Sequence, residues 1–422
     1  MAEKIYALIV NNWKSIRDVL LSYILATLIN AAPVGDENPW KQFLYNIDPR
    51  NSWHLVLMIA AAIVLVIIFM LKIILKRTVR RNSVQYKLSE LMNKLSSDEL
   101  RDVKNCPGYS WGADKALITA PDIFTGWKAD DVAIDKVLCG KYNFKYNSEL
   151  SHEYKKFLES EVCRDIIKKK NNNTRWMMTN AIPNFNKTDH KLFLSVRETD
   201  WCTNQFMWTK LRTDKDELRC AIKDAFEGEH ELYPNSLCLH LVVVSADNKV
   251  IFTKTSSNKR NDYPSKWAVT IGEQLEKEDF TDGGEIADGF VKRWVKRAFK
   301  EEFGISEGMY PQLVDEDSIS ILSIDMESDI YNFSLLTIVK LHESFDSFSE
   351  YLNANIVSDK EFVTIKGVKL KDIPGLMRYY SSLSPEEHDL HPSSLFRMFM
   401  CFIHFHGISK FIKEYYRHKG KL

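Results

Sequence analysis

The longest apolar segment of the chain runs without a charge from Leu55 to Leu71. Its 17 residues carry no strong hydrogen-bonding side chain, and no polar face interrupts them. At ~1.5 Å per residue the segment and its flanks extend ~34 Å, enough for a hydrocarbon core of ~30 Å. The pattern predicts a membrane-spanning helix over residues 53–75 and disfavours a buried helix of a soluble domain.

A second apolar segment, residues 16–33, precedes this one and is just long enough to span a bilayer. We expect a first transmembrane helix here, while an interfacial amphipathic helix and a signal sequence remain alternatives. Basic residues precede the first segment and follow the second. The positive-inside rule therefore predicts a transmembrane hairpin over residues 1–76, with both termini in the cytoplasm.

The rest of the chain has the pattern of a mixed α/β protein. Leucines at helical spacing predict a helical connector over 77–105. Residues 106–236 are expected to form the N-terminal part of a cytosolic region, and 237–422 a further domain. The clearest strands are 237–245, an unbroken β-branched run, and 250–254, which follows a turn. One long helix over 392–416 is predicted near the C-terminus.

The charge and cysteine content of the chain argue against some classes of function. The chain has 57 basic and 57 acidic residues, so no overall charge points to nucleic-acid binding. The seven cysteines are scattered without a CxxC pair, which predicts reduced thiols in a cytosolic domain. Two transmembrane helices cannot enclose a pore alone, so a permeabilising role would require several chains to assemble.

The most informative motif lies at the end of a helix predicted over 286–303. Residues 297–305, with the sequence RAFKEEFGI, resemble the second half of the Nudix box, Arg-Glu-aliphatic-x-Glu-Glu-x-Gly-aliphatic, at six of seven defined positions. The upstream order of strand, basic loop, strand and glycine loop is also similar to that family. The resemblance covers roughly 237–370 and implies a Nudix-like α/β/α sandwich.

The spacing of the family's box has a chemical reason. Diphosphate cleavage uses Mg²⁺, which carboxylates at i, i+3 and i+4 of one helix hold on one side. Glu301 and Glu302 match two of these positions, but the other is Ala298, which has no ligand atom. If the protein is a hydrolase, the resemblance implies Glu301, Glu302 and Glu285 as magnesium ligands. If it is not, no cofactor is expected.

A nucleotide site needs aromatic faces for bases and cations for phosphates. The loop after strand 250–254 and the segment 197–204 both combine such side chains, although each residue alone also suits a surface charge or a core aromatic. The nucleotide-binding candidates are Lys254, Lys259, Arg260, Tyr263, Trp267, Arg197, Trp201, Glu301 and Glu302.

The complete arrangement resembles the two-transmembrane Nudix effectors of CBASS, bacterial anti-phage systems that signal with cyclic oligonucleotides. The resemblance implies that a cyclic nucleotide made by a partner synthase binds the Nudix-like domain. The chain would then assemble as a homo-oligomer and disrupt the inner membrane, causing abortive infection. Two alternatives stay open: a membrane-anchored Nudix hydrolase of nucleoside diphosphate derivatives, and an anchored interaction protein without a ligand.

Overall fold

The computed structural model describes most of residues 110–417 and a few residues nearer the N-terminus. The gaps after residue 110 are 112–113, 139, 143, 145–147, 169–171, 181–183, 187–190, 219, 222–230, 258–262, 328–329, 355–361 and 385–386. Before residue 110, the described residues are 15, 17–22, 56, 59–71 and 73–74. The chain divides into two compact units, Met1–Glu90 and Leu91–Leu422.

The first unit contains an apolar helix, Ile59–Leu71, within the predicted second span. Among the described residues, no single helix has the length and apolar character needed to cross a membrane. One bent helix pair near the C-terminus passes that test jointly. The connector 77–105 and most of 16–33 lie outside the described residues, so the predicted hairpin and its connector stay predictions.

The second unit is a mixed α/β structure, as predicted. Its strands are β1 Ser110–Trp111, β2 Asp114–Thr119, β3 Trp127–Lys128, β4 Val132–Leu138, β5 Thr174–Met178, β6 Asn184–Asn186, β7 Lys191–Asp200, β8 Leu237–Val244, β9 Lys249–Thr255, β10 Trp267–Val269, β11 Ile271–Gln274, β12 Thr281–Asp282, β13 Glu285–Ile286, β14 Val314–Glu327, β15 Asn332–Leu341 and β16 Phe362–Lys369. Its helices are α1 Ser148–Leu158, α2 Glu161–Lys168, α3 Trp201–Thr213, α4 Lys277–Phe280, α5 Phe290–Phe303, α6 Tyr310–Leu313, α7 Phe345–Ala354, α8 Ile373–Tyr380, α9 Ser394–His406 and α10 Ile408–Tyr416.

Ten of the described strands form one sheet around β8. The main order is β1-β2-β14-β15-β8-β9-β10, with β3, β11 and β16 pairing with β14, β8 and β9. Strands β8 and β15 are parallel, and the other pairs in this sheet are antiparallel. A smaller sheet has the order β4-β7-β5, with β6 also on β7. The three strands at 110–128 therefore belong to the large sheet.

Strand β8 lies at the centre because its sequence leaves it no solvent face. All eight of its residues are buried, as expected for a strand in which every residue except His240 is apolar. Helix α5 packs on this core through an apolar stripe that includes Trp294 and Phe299. It ends at Gly304, as predicted, where a left-handed φ of 70° lets the glycine N–H bond to the carbonyls of Lys300 and Phe299.

Two predicted helices differ from the structure. The predicted single helix over 392–416 is wrong: it breaks at Gly407, whose φ of 76° and ψ of 152° separate α9 from α10 at a bend of 118°. The helix predicted from residue 286 begins at Phe290 instead. Residues 285–286 pair with 281–282 in a hairpin, whose turn is Gly283-Gly284, both with positive φ.

Candidate functional site

A cavity of about 280 Å³ opens on one face of the large sheet. Strands β8, β9, β10 and β11 form its floor, and helices α3, α5 and α9 contribute to its walls. We call this cavity the pocket. It is lined by Trp201, Trp208, Cys238, His240, Thr253, Thr255, Tyr263, Ala268, Thr270, Ile271, Gly272, Gln274, Glu302, Glu327, Ile330, Asn332, Phe362, His391 and Arg397.

His240 is the central polar group of the floor. It lies on β8 and is 3% exposed. Its Nδ1 is 3.5 Å from Asp325 Oδ2, and its Nε2 is 3.8 Å from Glu327 Oε1. Burial lowers the pKa of His240 well below its usual value, and the charge of Arg397 acts in the same direction. The imidazole is therefore neutral at neutral pH.

Asp325 stands behind His240 with no exposed surface. The hydroxyls of Ser334 and Ser323 donate to its two carboxyl oxygens, at 2.7 and 3.2 Å. Burial raises the pKa of Asp325 to about 7, although both hydroxyls and Arg397 oppose the rise. This carboxyl group changes charge near neutral pH directly beneath the pocket floor.

Arg397 supplies the buried guanidinium of the pocket. It comes from α9, a mostly apolar helix, and is 3% exposed. Its Nη1 donates to the carbonyls of Val269 and Ile271, at 3.2 and 3.3 Å. These bonds fix α9 across the junction between β10 and β11.

Aromatic side chains form two other walls. Trp201 and Trp208 lie on α3 and meet edge to face, with ring centroids 5.0 Å apart. Asp200 caps this helix by accepting from the Thr203 N–H at 2.9 Å, which fixes where Trp201 begins the helix. Tyr263 meets His391 edge to face at 4.6 Å. Burial lowers the pKa of His391 to about 3, so this ring is also neutral at neutral pH.

The side chains of the two glutamates in the box motif point to different surroundings. Glu302 is 7% exposed and lines the pocket. Glu301 pairs instead with Arg297, with 3.1 Å between Oε2 and Nη1, and its side chain is half exposed. Successive residues of a helix are separated by about 100°, so only one of the pair can face the pocket.

Arg297 connects α5 to the strand and the short helix that precede it, β11 and α4. Its Nη2 is 2.8 Å from Asp279 Oδ2, and its Nη1 is 3.1 Å from Glu273 Oε1. Burial raises the pKa of Glu273 to about 7, although the charge of Arg297 opposes the rise. The guanidinium is surrounded by carboxylates, so this cluster holds α5 against β11 and α4.

The residues present do not fit a magnesium site of the kind that the box motif implies. Ala298 is buried without a ligand atom, Glu301 is bound to Arg297, and Glu285 is exposed on β13. Within the described part of the chain, no three His, Cys, Asp or Glu side chains are grouped for a metal ion. Glu302 alone of the three candidate ligands faces the pocket.

The structure brings three of the nucleotide-binding candidates together at the pocket: Trp201, Tyr263 and Glu302. Arg197 is elsewhere, with its Nη2 donating to Glu231 at 3.2 Å. Lys259 and Arg260 lie outside the described residues.

Lys254 and Trp267 lie on the opposite face of the sheet. They are cross-strand partners on β9 and β10, while the flanking Thr253 and Thr255 line the pocket. Because successive strand residues point to opposite faces, Lys254 turns away from the pocket. Its Nζ is 5.8 Å from the centre of the Trp267 ring, and that of Lys366 is 4.0 Å away.

The sequence did not identify several pocket residues as candidates, chiefly His240, Glu327 and Arg397. Each is a polar or charged residue inside an apolar run: LCLHLVVV, SILSIDME and SLFRMFMCF. Buried polar residues are rare and are retained mainly where they have partners or a function. A polar residue inside an apolar run was therefore the sequence feature that could have identified these three residues.

Comparison with known proteins adds little to what the structure shows. No protein-family model and no curated protein matches the chain. Among solved structures, the chain is similar to the crystal structure of Tm1382, "a putative Nudix hydrolase", at 14% identity and a TM-score of 0.22. The match covers 51% of this chain and 86% of that one.

Proposed function

We propose that this protein is a membrane effector of an anti-phage defence system of the CBASS type. A cyclic nucleotide made by a partner synthase binds the pocket in the Nudix-like region. Binding causes the chain to assemble as a homo-oligomer and to disrupt the inner membrane through its N-terminal hairpin. Infected cells then die before phage can spread.

The observation that carries the proposal is the composition of the pocket. Ligand sites are concave, largely apolar and aromatic, and contain a few placed polar groups. The pocket is concave and has the aromatic side chains Trp201 and Tyr263, but about half of the residues that line it are polar, among them His240 and Arg397. Its volume of about 280 Å³ is near the lower end of the usual ~300–1,000 Å³ range. It therefore suits a single nucleoside unit of a larger ligand.

Helix α5, which carries the box motif, supports the part of the proposal that binding occurs without hydrolysis. Metal-dependent phosphoryl chemistry depends on several carboxylates that hold the ion at fixed geometry. Ala298 provides none, and the carboxylate of Glu301 is held by Arg297. The Nudix-like region would in this way serve as a receptor.

The apolar helix Ile59–Leu71 supports the membrane part. Several of its large side chains are about half exposed or more, among them Ile63, Val66 and Phe69. A contiguous apolar surface of this kind favours lipid or another chain as its surroundings. A ligand can drive assembly only if it binds one state of the chain better than another.

The decisive experiment is dye release from liposomes that contain the full chain. We expect release when a cyclic di- or trinucleotide is added, and none with the corresponding linear nucleotides. Trp201→Ala should abolish the response by removing an aromatic wall. Val66→Lys should abolish it without affecting ligand binding, because a lysine at the centre of a span costs ~2.5–3.5 kcal/mol. Glu301→Gln, outside the pocket, is the matched control.

Hydrolysis is the result that would overturn this proposal. The same full chain would be incubated with Mg²⁺ and linear nucleoside diphosphate derivatives. Turnover that Glu302→Gln abolishes, with no dye release by any cyclic nucleotide, would establish the membrane-anchored hydrolase instead.

A further inference from the structure

Two cysteine thiols meet inside the second unit. Cys163 lies in the first turn of α2 and Cys202 in the first turn of α3. Both are free and buried. The Cys163 thiol donates to the Cys202 sulfur, with 3.0 Å between the two Sγ atoms. A disulfide bond is ~2.05 Å long, so the two sulfurs need to approach by only about 1 Å to be joined.

Helix α2 has little other packing to hold it in place. All eight of its residues are described, and Cys163 is the one that is buried. Its apolar neighbours Val162 and Ile167 are more than half exposed. A helix of this length is marginal by itself and depends on tertiary packing. We therefore expect α2 to open locally far more readily than the core of the unit.

Helix α3, in contrast, is firmly anchored. Seven of its residues are buried, Cys202 among them. The backbone N–H of Cys202 also donates to Asn172 Oδ1 at 2.8 Å. Opening of α2 would thus carry Cys163 into solvent and uncover Cys202, while Cys202 stays in position. Closing would bring the two thiols back into contact.

In the closed structure Cys202 is protected from oxidation. The thiolate is the reactive form of a cysteine. Burial and the hydrogen bond with Cys163 raise the pKa of Cys202 to about 12, so its thiol is protonated at neutral pH. Reaction with an oxidant therefore begins in the opened state. This requirement distinguishes the pair from Cys220, which is exposed in the structure.

We propose that Cys163 and Cys202 form a reversible disulfide in response to peroxide. In the opened state one thiolate attacks a peroxide oxygen, the O–O bond breaks, and a sulfenic acid forms as hydroxide leaves and takes up a proton. After closing, the other thiol attacks the sulfenic sulfur, the S–OH bond breaks and water leaves. Two thiols are oxidised and one hydrogen peroxide is reduced to two waters. A dithiol reductant restores both thiols by exchange.

The proposal agrees with the reduced thiols expected for a cytosolic domain, because disulfides in that compartment are usually transient and redox-sensing. It is independent of the proposed function and of any ligand. The bond would join α2 to the residue that follows Trp201, a wall of the pocket. Oxidation would therefore restrict the opening of α2 and fix the start of α3.

Peptide mapping of the full chain tests the pairing. The folded protein in detergent is treated with hydrogen peroxide, its remaining thiols are alkylated, and it is digested with trypsin. Cleavage after Arg164 and Arg197 places the two cysteines on separate peptides. We expect these two peptides to be recovered joined, and to separate after dithiothreitol. Recovery of both as alkylated thiols or sulfinic acids, or joined to other cysteines, would overturn the proposal.

A variant and a matched control locate the chemistry. Cys163→Ala removes the partner of Cys202, so peroxide should convert Cys202 to sulfinic acid and form no disulfide with it. Cys401→Ala removes a buried thiol of α9 instead and should keep the Cys163–Cys202 bond. A disulfide of Cys202 that persists in Cys163→Ala would overturn the pairing. The mapping of the wild-type chain decides the question even where a variant is destabilised.

Hydrogen exchange tests the role of α2. In the oxidised chain its backbone amides should exchange at least about tenfold more slowly than in the reduced chain, because the cross-link restricts opening. Helix α8 also has eight residues but no cysteine, and its exchange should not change. An unchanged rate in α2 would contradict the proposal that α2 opens to admit peroxide.

Discussion

Replacing the buried carboxyl of Asp325 by an amide should change how the stability of the protein depends on pH. Asp325→Asn keeps the size of the side chain and removes its charge. The hydroxyls of Ser323 and Ser334 can still donate to the amide oxygen or accept from its NH₂ group. The folded structure is therefore expected to persist, so that charge is the main difference between the two proteins.

The size of the pH effect on the free energy of unfolding follows from the pKa of Asp325. Burial raises the pKa of Asp325 from 3.8 to about 7 in the folded state. Between these two values the folded state binds more protons than the unfolded state, so the free energy of unfolding falls as pH rises. At ~1.36 kcal/mol per pKa unit, Asp325 lowers stability by ~4 kcal/mol above pH 7 compared with pH 4. Asp325→Asn removes this dependence.

The assay is urea denaturation of the full chain between pH 4.5 and 8. Across this interval the free energy of unfolding of Asp325→Asn should fall less with pH, or rise more, than that of wild type; the buried His240 and His391, whose pKa values are lowered, contribute a rise of the same size to both proteins. Glu273, whose burial also raises its pKa to about 7, contributes a decline of the same sign as that from Asp325, so some slope remains. The exposed Asp282→Asn serves as control. An unchanged slope in Asp325→Asn would refute the argument that burial holds this carboxyl neutral.

Three further predictions concern stability and reactivity. Gly407→Ala should destabilise the protein by ~1–3 kcal/mol in urea denaturation, because its positive φ strains any other residue and the new Cβ would lie 3.1 Å from Phe124; an unchanged midpoint would contradict this. Asp279→Asn should lower the free energy of unfolding by ~3–5 kcal/mol in the same assay, since it leaves Arg297 buried with fewer partners. A loss below ~1 kcal/mol would show that solvent screens the Asp279–Arg297 ion pair as it screens a surface pair. Of the five cysteines that the structure describes, Cys220 alone is exposed, so alkylation followed by mass spectrometry should label it first; equal labelling of the buried thiols would argue that the core opens.

The fold was largely predictable where local pattern is strong. The mostly apolar run of β8 and the stop at Gly304 follow from sequence alone, because burial on both faces and left-handed backbone are properties of a few adjacent residues. The break at Gly407 was missed, because the apolar pattern continues through the glycine and only packing decides that the helix turns there.

The site was less predictable than the fold. Trp201, Tyr263 and Glu302 were identified by composition and motif, and they meet at one pocket. Lys254 was also predicted to be a nucleotide-binding residue, but it lies on the other face of the sheet. Closeness in the sequence does not show which face of a strand will line a pocket. Thr253, the neighbour of Lys254, faces the pocket instead, and strand alternation makes the two choices exclusive.

The sequence by itself determined the apolar N-terminal segments, the alternation of helices and strands, and a segment that resembles the Nudix box with Ala298 in place of the box's first glutamate. Only the tertiary structure decided which box glutamate faces the pocket and which pairs with Arg297. It also brought His240 to Glu327 and Arg397, residues from β8, β14 and α9 that are far apart in the chain. Periodicity reports only a residue's near neighbours, whereas long-range strand pairing and helix packing assemble a site.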